Sequence, residues 1–368
     1  MRVAIDAREL RGEPTGVGRY LAGLLDAWET LDAARSHDFV LCAPGPIERA
    51  SSLVRTVVHQ GAAIGKAGTA WEQLTLPAVL REIKADVLFA AGYTAPVFCP
   101  VPLVVAIYDV SFAARPEWFA PREGLRRRVL TRLAARRAAR VLTISEFSKR
   151  EIAQRFHIDN AKIEVAYPGT NSSARQPDTT APRSTDGSHL VLFVGSLFTR
   201  RHIPALIDGF AKLSRQRPDV TLEIVGDNRT TPRVDFQALI AATGAADRIA
   251  LRSYVAEDTL HGLYRRARAF VFLSEYEGFG LTPLEALAAG VPIVVLDTPV
   301  AREVYQDAAI YVPRPDPALV RAAIETALFD DDERARVFEA SARVLPRYSW
   351  QTCAEQVLKL LSESAGLE

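Results

Sequence analysis

Cysteine is scarce in this chain: Cys42, Cys99 and Cys353 are the only three in 368 residues, and they lie far apart. An odd, scattered set leaves no disulfide framework and no cysteine-based metal site, so reduced, buried thiols are expected. Long apolar runs are missing as well. No stretch approaches the roughly eighteen residues of a spanning helix, and the opening Met1-Arg-Val-Ala-Ile-Asp6 meets charge too early for a secretory signal. The expectation is a soluble, cytoplasmic chain, peripheral at most to an inner membrane. Neither sign of charge dominates, since 45 basic residues face 44 acidic ones for a net charge of +1. No global field then draws the chain to nucleic acid.

What is present is ordinary globular composition, 48% hydrophobic and 24% charged, at a length that suits two or three domains. Strand-like apolar runs alternate with helical patterns, which reads as α/β with parallel sheets. In the first half, strands are predicted at Val3–Asp6, Phe39–Cys42, Val87–Ala90, Leu103–Ile107, Val141–Ile144 and Ile163–Ala166, with helices at Gly18–Leu31, Trp71–Ile83, Gly124–Ala138 and Glu146–Phe156. From Pro168 to Ser188 Gly, Pro, Ser, Thr and Asp dominate, as in a linker. Strands resume at His189–Val194, Thr221–Val225, Ile249–Leu251, Phe270–Leu273, Pro292–Leu296 and Ile310–Val312, and three helical patterns near Ala318–Leu328, Glu333–Val344 and Thr352–Leu361 end the chain. The reading is two doubly wound, Rossmann-like domains facing a central cleft. Residues 1–172, completed by a terminal helix at 347–368, form the first; 173–188 link it to the second, 189–346. Open α/β sheets bind ligands beyond the carboxyl ends of their strands.

The densest signal is Glu277-Gly-Phe-Gly-Leu-Thr-Pro-Leu-Glu285-Ala-Leu-Ala-Ala-Gly290, set between two strand-like runs. Thr282 suits an N-cap, Pro283 the first helical position and Glu285 the third, which together make a capping box. Gly290 suits the left-handed position just past the helix end. A short helix whose free amides face Gly278-Phe279-Gly280 favours an anionic group such as phosphate. Glu277 and Glu285 are then placed to accept hydrogen bonds from the hydroxyls of a sugar and a ribose. Glu285 as a plain capping residue and Glu277 as a solvated loop acid fit the same pattern.

Other segments are less specific. Gly16-Val-Gly18, ahead of a helix, lacks the third glycine of the dinucleotide fingerprint; it suits an anion or a reacting sugar, or a plain βα turn. Gly195-Ser196-Leu-Phe-Thr-Arg200-Arg201-His202 follows a strand, and its paired guanidinium groups fit a diphosphate clamp or a solvated turn. Tyr108 and Asp109 follow the strand at 103–107 and are candidate cleft residues. Residues 122–140 carry eight arginines and one acid. There Leu125, Val129, Leu130 and Leu133 form a stripe that leaves a basic face, suited to anionic lipid or to solvent. Asp330-Asp331-Asp332-Glu333 reads as the charged start of a helix rather than a metal site. Trp71, Trp118 and Trp350 read as packing residues.

These residues resemble the family 4 retaining glycosyltransferases, nucleotide-sugar enzymes of the GT-B fold, and look closest to a bacterial mannosyltransferase-like branch that builds surface polysaccharide. The likeness runs through Ile5-Asp-Ala-Arg8 with Thr15-Gly-Val-Gly-Arg-Tyr20, Tyr108-Asp-Val-Ser-Phe112 and Thr143-Ile-Ser-Glu-Phe-Ser148. It continues through Tyr167-Pro-Gly169, Gly195–Arg201, Tyr276-Glu-Gly-Phe-Gly280 onward to Glu303-Val304, and Tyr348-Ser-Trp350. It implies that Glu277 contacts the transferred sugar, that Glu285 contacts the ribose, and that Arg201 and the amides around Phe279–Leu281 hold the diphosphate. Gly278, Gly280, Thr282, Gly195, Ser196, Arg200, Tyr254 and Val255 complete the donor site. Gly16, Val17 and Gly18 line the reacting side, with Tyr108 and Asp109 near the chemistry. The chain departs from the family at Ser196, where Arg is frequent, at Arg201, where Lys is frequent, and at Tyr108, where His is usual.

The resemblance further implies a donor that is a nucleotide-diphosphate sugar, a GDP-sugar being favoured, and transfer of mannose or a related deoxyhexose. The acceptor is expected to be a glycan or lipid-linked glycan. Configuration is retained by front-face attack, without metal or resident cofactor. A sugar-nucleotide epimerase or phosphorylase, or a silent nucleotide-sugar-binding partner, would fit the same sequence. Release of nucleoside diphosphate only when acceptor is present separates the transferase from both.

Overall fold

A computed structural model describes residues 1–12, 16–47, 53–58, 68–170 and 189–367. Residues 13–15, ahead of the first glycine pair, and the predicted linker at 173–188 lie outside the described residues. Thirteen strands are described. β1 (Arg2–Asp6), β2 (Asp38–Ala43), β3 (Val54–Val58), β4 (Val87–Ala90), β5 (Leu103–Ala106), β6 (Arg140–Thr143) and β7 (Ile163–Val165) form one sheet. β8 (His189–Val194), β9 (Val220–Val225), β10 (Ile249–Arg252), β11 (Ala267–Phe272), β12 (Ile293–Leu296) and β13 (Ile310–Val312) form the other.

Both sheets are parallel. Their orders are β3-β2-β1-β4-β5-β6-β7 and β10-β9-β8-β11-β12-β13. Strands such as β4, β5 and β12 are buried at every position, which follows from helices covering both faces of a parallel sheet and explains their continuous apolar reading. In each sheet the chain first steps outward one way, then crosses back beside its first strand and steps outward the other way. The two reversals, β1/β4 and β8/β11, are the points where loops diverge to opposite faces and leave a crevice.

β3 was not visible as a strand in the sequence. It pairs in register with β2, Phe39 opposite Val54 through Ala43 opposite Val58. Among the described residues it is an edge strand, and Val54 and Val57 are only half-buried, so its apolar pattern is weak.

The chain divides into two compact units, Met1–Gly169 with the segment from Tyr348 onward, and Thr170–Arg347. In the first, the terminal helix Trp350–Ser364 lies on the helix Gly16–Thr30. Ser349 caps its start at Thr352 N, 3.4 Å. Trp28 Nε1 donates to Ala354 O at 3.0 Å, and Tyr20 meets Trp350 edge-on at 5.6 Å. Burial pushes the Cys353 thiol up to about 12, so it serves as packing beside the Tyr20 hydroxyl. In the second unit Asp330 caps the helix Asp331–Val344 by accepting from Glu333 N at 2.9 Å, as its acidic start predicts.

One expected face is reversed. The helix Pro121–Arg137 meets the core through Gly124, Thr131, Ala134 and Ala135, whereas Leu125, Val129 and Leu133 are exposed. The small residues let this helix approach the sheet closely, so the large ones turn outward.

The seat of Trp350 gives a signed prediction. Alanine for glycine inside a helix ordinarily stabilises by about 0.5–1 kcal/mol. A Cβ at Gly23, however, would lie 2.5 Å from the Trp350 ring, and overpacking costs about 1–3 kcal/mol. Gly23→Ala should therefore lower the urea midpoint of unfolding; an unchanged or raised midpoint would contradict this packing.

Candidate active site

At the β8/β11 reversal two loops meet. Residues 195–202 leave β8, and residues 273–280 leave β11. Four contacts join them. Glu275 N donates to Arg200 O at 3.0 Å, Arg200 Nε donates to Tyr276 O at 3.1 Å, His202 Nε2 lies 2.8 Å from Glu275 Oε2, and Arg201 pairs with Glu277. His202 takes a left-handed conformation, φ +48°, which turns the first loop into the helix Ile203–Ser214.

The Arg201–Glu277 pair is the centre of the site. Glu277 Oε1 accepts from Arg201 Nε at 2.9 Å, lies 2.8 Å from Arg201 Nη2, and accepts from Ser274 Oγ at 2.8 Å; Arg200 Nε stands 3.9 Å away. Both partners are mostly enclosed, with 12% and 16% of their side chains exposed. Burial pushes the Glu277 carboxyl up, but Arg201, Arg200 and the Ser274 hydroxyl outweigh it and hold the group below its ordinary value. Burial also lowers the Arg201 guanidinium, more than Glu277 raises it; an arginine starts high enough to stay charged regardless. Aromatic faces hold both cations. Arg201 sits 4.7 Å from the Phe272 ring centroid and Arg200 4.2 Å from that of Phe198, contacts attractive to a guanidinium. Ser196 contributes its carbonyl, which accepts from Arg201 Nη1 at 2.9 Å. Gly195 has φ +139°, and a Cβ there would come within 2.6 Å of that nitrogen, so glycine alone lets the arginine fold back over the strand end.

The following helix, Leu281–Ala288, departs from the predicted capping box. Gly280 is its N-cap at φ +99°, no side chain caps it, and Thr282, Pro283 and Glu285 fall inside the helix. The reason is local: Tyr305 donates its hydroxyl to Gly280 O at 2.9 Å and fills the space a Cβ would need. Helix geometry leaves the amides of Gly280, Leu281 and Thr282 without an intrahelical partner, while Pro283 has none to offer. At the other end Gly290 has φ +71°, with Gly290 N on Leu287 O and Val291 N on Ala286 O, both 2.9 Å. This is the double bond of a Schellman end. Glu285 is freed from capping; its Oε2 accepts from Tyr264 OH at 3.2 Å. A recess opens on Ser274, Glu277, Phe279, Thr298 and Tyr305; Gly278 is buried.

Tyr254 and Val255 follow β10, and Tyr254 is 65% exposed. In the other unit Gly16, Val17 and Gly18 form the first turn of their helix, with Gly16 exposed and Gly18 buried. Tyr108 is buried in the same unit. Its hydroxyl donates to Ala91 O at 2.8 Å inside a cluster with Tyr20 and Tyr93, at 5.1 and 5.5 Å, and only 6% of the residue is exposed. Its hydroxyl is thus held by the backbone and its ring by two neighbouring tyrosines. Asp109 is half-buried, accepting from Ser111 N at 2.7 Å and from Tyr93 OH at 3.2 Å.

Three contributors escaped sequence reasoning. Ser274 was close enough to Glu277 to be suspected. Tyr264 and Tyr305 stand 21 and 25 residues from their partners and carry no local signal. Chemically, the assembly sets two cations, helix amides without an intrahelical partner and two carboxylates near one sheet edge, so it can hold an anion beside a hydroxyl-bearing group.

Comparison with known proteins places the chain among glycosyltransferases. A family model described as Glycosyltransferase Family 4 matches residues 14–174, and one described as Glycosyl transferases group 1 matches residues 175–344. The O-antigen chain mannosyltransferase RfbU of Salmonella typhimurium is 27% identical over 260 residues, covering 71% of this chain and 69% of its own length. O-antigen chain mannosyltransferase B of Escherichia coli is 27% identical over 263 residues, 69% and 68% of the two chains. The structure of WaaG, a glycosyltransferase involved in lipopolysaccharide biosynthesis, matches at TM-score 0.76 and 17% identity over 98% of this chain and 100% of that one. Anabaena HepE in complex with UDP and glucose matches at 0.73 and 20%, over 99% and 100%. Structural likeness at such identity speaks for the fold.

The ion pair predicts an acid response. Because the folded Glu277 carboxyl lies below its unfolded value, near 4.3, its stabilisation is present above that pH and is lost as pH falls through the folded value. Glu277→Gln should cost about 3 kcal/mol at neutral pH by stranding Arg201, and should decline less steeply than the parent between about pH 5 and about pH 3. Parallel decline in urea melts of the two proteins would rule out this coupling.

Proposed function

The chain belongs to the family 4 glycosyltransferases, and from that premise we propose that it moves a hexose from a nucleotide-diphosphate sugar to a glycan acceptor in surface polysaccharide synthesis. The observation that carries this reading is the Arg201–Glu277 pair beside the open end of the helix Leu281–Ala288. Arg200, Arg201 and the amides of Gly280–Thr282 take the diphosphate. Glu277 Oε1 is occupied by Arg201 and Ser274, so we assign Oε2 to the sugar hydroxyls. Glu285, set by Tyr264, takes the ribose, and exposed Tyr254 is suited to stack on the base. Mannose or a related deoxyhexose carried on GDP is the donor we favour, in line with the mannosyltransferases among the relatives. The acceptor we assign is a growing glycan, free or lipid-linked, met in the cytoplasm or at the inner membrane.

In the proposed step the bond from the anomeric carbon to the β-phosphate oxygen breaks. The acceptor oxygen bonds to the same face, its proton passes to the departing phosphate, and the anomeric configuration is retained. Positive charge from the two arginines and the helix amides offsets the charge that develops on the leaving group, a role that requires no metal ion. Asp109 stays with the acceptor-side unit as a polar contributor; Tyr108 supports that unit's core.

Incubation of candidate donors with and without acceptor tests the reading. Nucleoside diphosphate should appear only with acceptor, survive chelator, and fall by a factor on the order of a hundred or more in Glu277→Gln. The same variant should still bind the free nucleotide. Among GDP, UDP, ADP and dTDP, GDP should raise the melting temperature most, and Glu285→Ala should weaken its binding about tenfold. Near-normal turnover of Glu277→Gln would overturn the assignment.

A further inference from the structure

The outward stripe of the helix Pro121–Arg137 has no role in the sugar chemistry, yet it is the least expected surface of the molecule. Leu125, Val129 and Leu133 recur every fourth residue and so lie on one line; they are 54%, 46% and 37% exposed. Phe98, 77% exposed, extends this surface at the helix end, where the Arg137 guanidinium stands 5.8 Å from its ring. Large apolar side chains aligned on an exposed line mark a contact surface rather than scattered surface hydrophobes.

Charge decides what the contact is. The helix carries seven arginines and one acid, although the chain as a whole is nearly neutral. Arg122, Arg126, Arg136 and Arg137 are exposed beside the stripe. The single acid, Glu123, is neutralised locally by Arg126 at 2.8 Å and Arg127 at 2.7 Å. Core packing does not account for the apolar residues, since Gly124, Thr131, Ala134 and Ala135 make it. An apolar ridge bordered by cations on a helix lying flat at the surface matches a bilayer interface, where acyl chains take the ridge and anionic headgroups the rim. No helix among the described residues is long and apolar enough to cross a membrane, so the contact is interfacial.

We propose that this face docks the protein on an anionic lipid bilayer through insertion of Leu125, Val129, Leu133 and Phe98 between flanking arginines. This deepens the membrane side of the proposed function without depending on the transfer reaction. Such docking holds the first unit against the surface where a lipid-linked acceptor would be presented.

Co-sedimentation of the full chain with vesicles of phosphatidylglycerol and phosphatidylcholine in equal parts, against phosphatidylcholine alone, tests it. The parent should pellet with the anionic vesicles, and less so as salt is raised. Leu125→Gln/Val129→Gln/Leu133→Gln should bind at least about tenfold more weakly while keeping the parent's melting temperature, since these side chains point away from the core. Arg122→Gln/Arg136→Gln should weaken binding and flatten its salt dependence. Failure of the parent to bind anionic vesicles would overturn the proposal, as would undiminished binding by the triple variant. A concentration-dependent dimer that the triple variant dissolves, with no vesicle binding, would instead make the face a contact between copies. Vesicle binding without any transferase activity would leave this proposal standing and remove the catalytic one.

Discussion

A guanidinium enclosed at the end of a parallel sheet must meet a carboxylate there, because a buried unpaired charge is costly. Arg201 and Glu277 satisfy that requirement across the reversal between β8 and β11. Much of the site follows from it. Gly195 clears space for the arginine, Phe272 supports its face, Ser274 holds the acid's oxygen, and the Glu275 contacts with Arg200 and His202 tie the loops side by side. The helix Leu281–Ala288 then starts two residues after Phe279, which lines the recess together with Ser274 and Glu277. Replacing such a pair with apolar residues can be neutral for stability, so its presence at this sheet edge is consistent with the binding role proposed for it.

The order of elements was legible because both sheets are parallel. Buried parallel strands read as unbroken apolar runs, and the inner strands of the second sheet, β8, β9, β11 and β12, could be located to within a few residues by that rule. β3 was not legible, for the complementary reason: an edge strand is half solvated and its pattern dilutes. The Glu277–Gly290 segment announced a site through its glycines and acids. Its helix start was misread, however, because Thr282 and Pro283 satisfy the local cap preference equally well. What moves the start to Gly280 is Tyr305, a residue on another helix, and no window of the sequence contains both.

The helix Pro121–Arg137 teaches the opposite lesson about periodicity. A stripe at every fourth residue identifies one face but does not say which way it points. In an isolated amphipathic helix the larger apolar residues go inward. Here the covering element must come close to the sheet, and glycine and alanine allow that where leucine does not. Tyr108 shows the same limitation at a single residue. Its place after β5 says nothing of its partners, a backbone carbonyl for its hydroxyl and two tyrosines against its ring.

Glu277 serves two purposes that interact. As the counterion of Arg201 it is held ionised and oriented through Oε1. As the proposed sugar ligand it must offer the rest of the carboxylate without turning. A diphosphate reaching Arg200 and Arg201 brings a second anion to cations that Glu277 already partly neutralises. In the proposed complex two guanidinium groups, rather than one, would offset that neutralisation. The proposed role gives the departure at Ser196 a physical reading: Arg200, held over the Phe198 ring and anchored to Tyr276 O, would supply from the far end of the loop the positive charge that the family often places directly after the glycine.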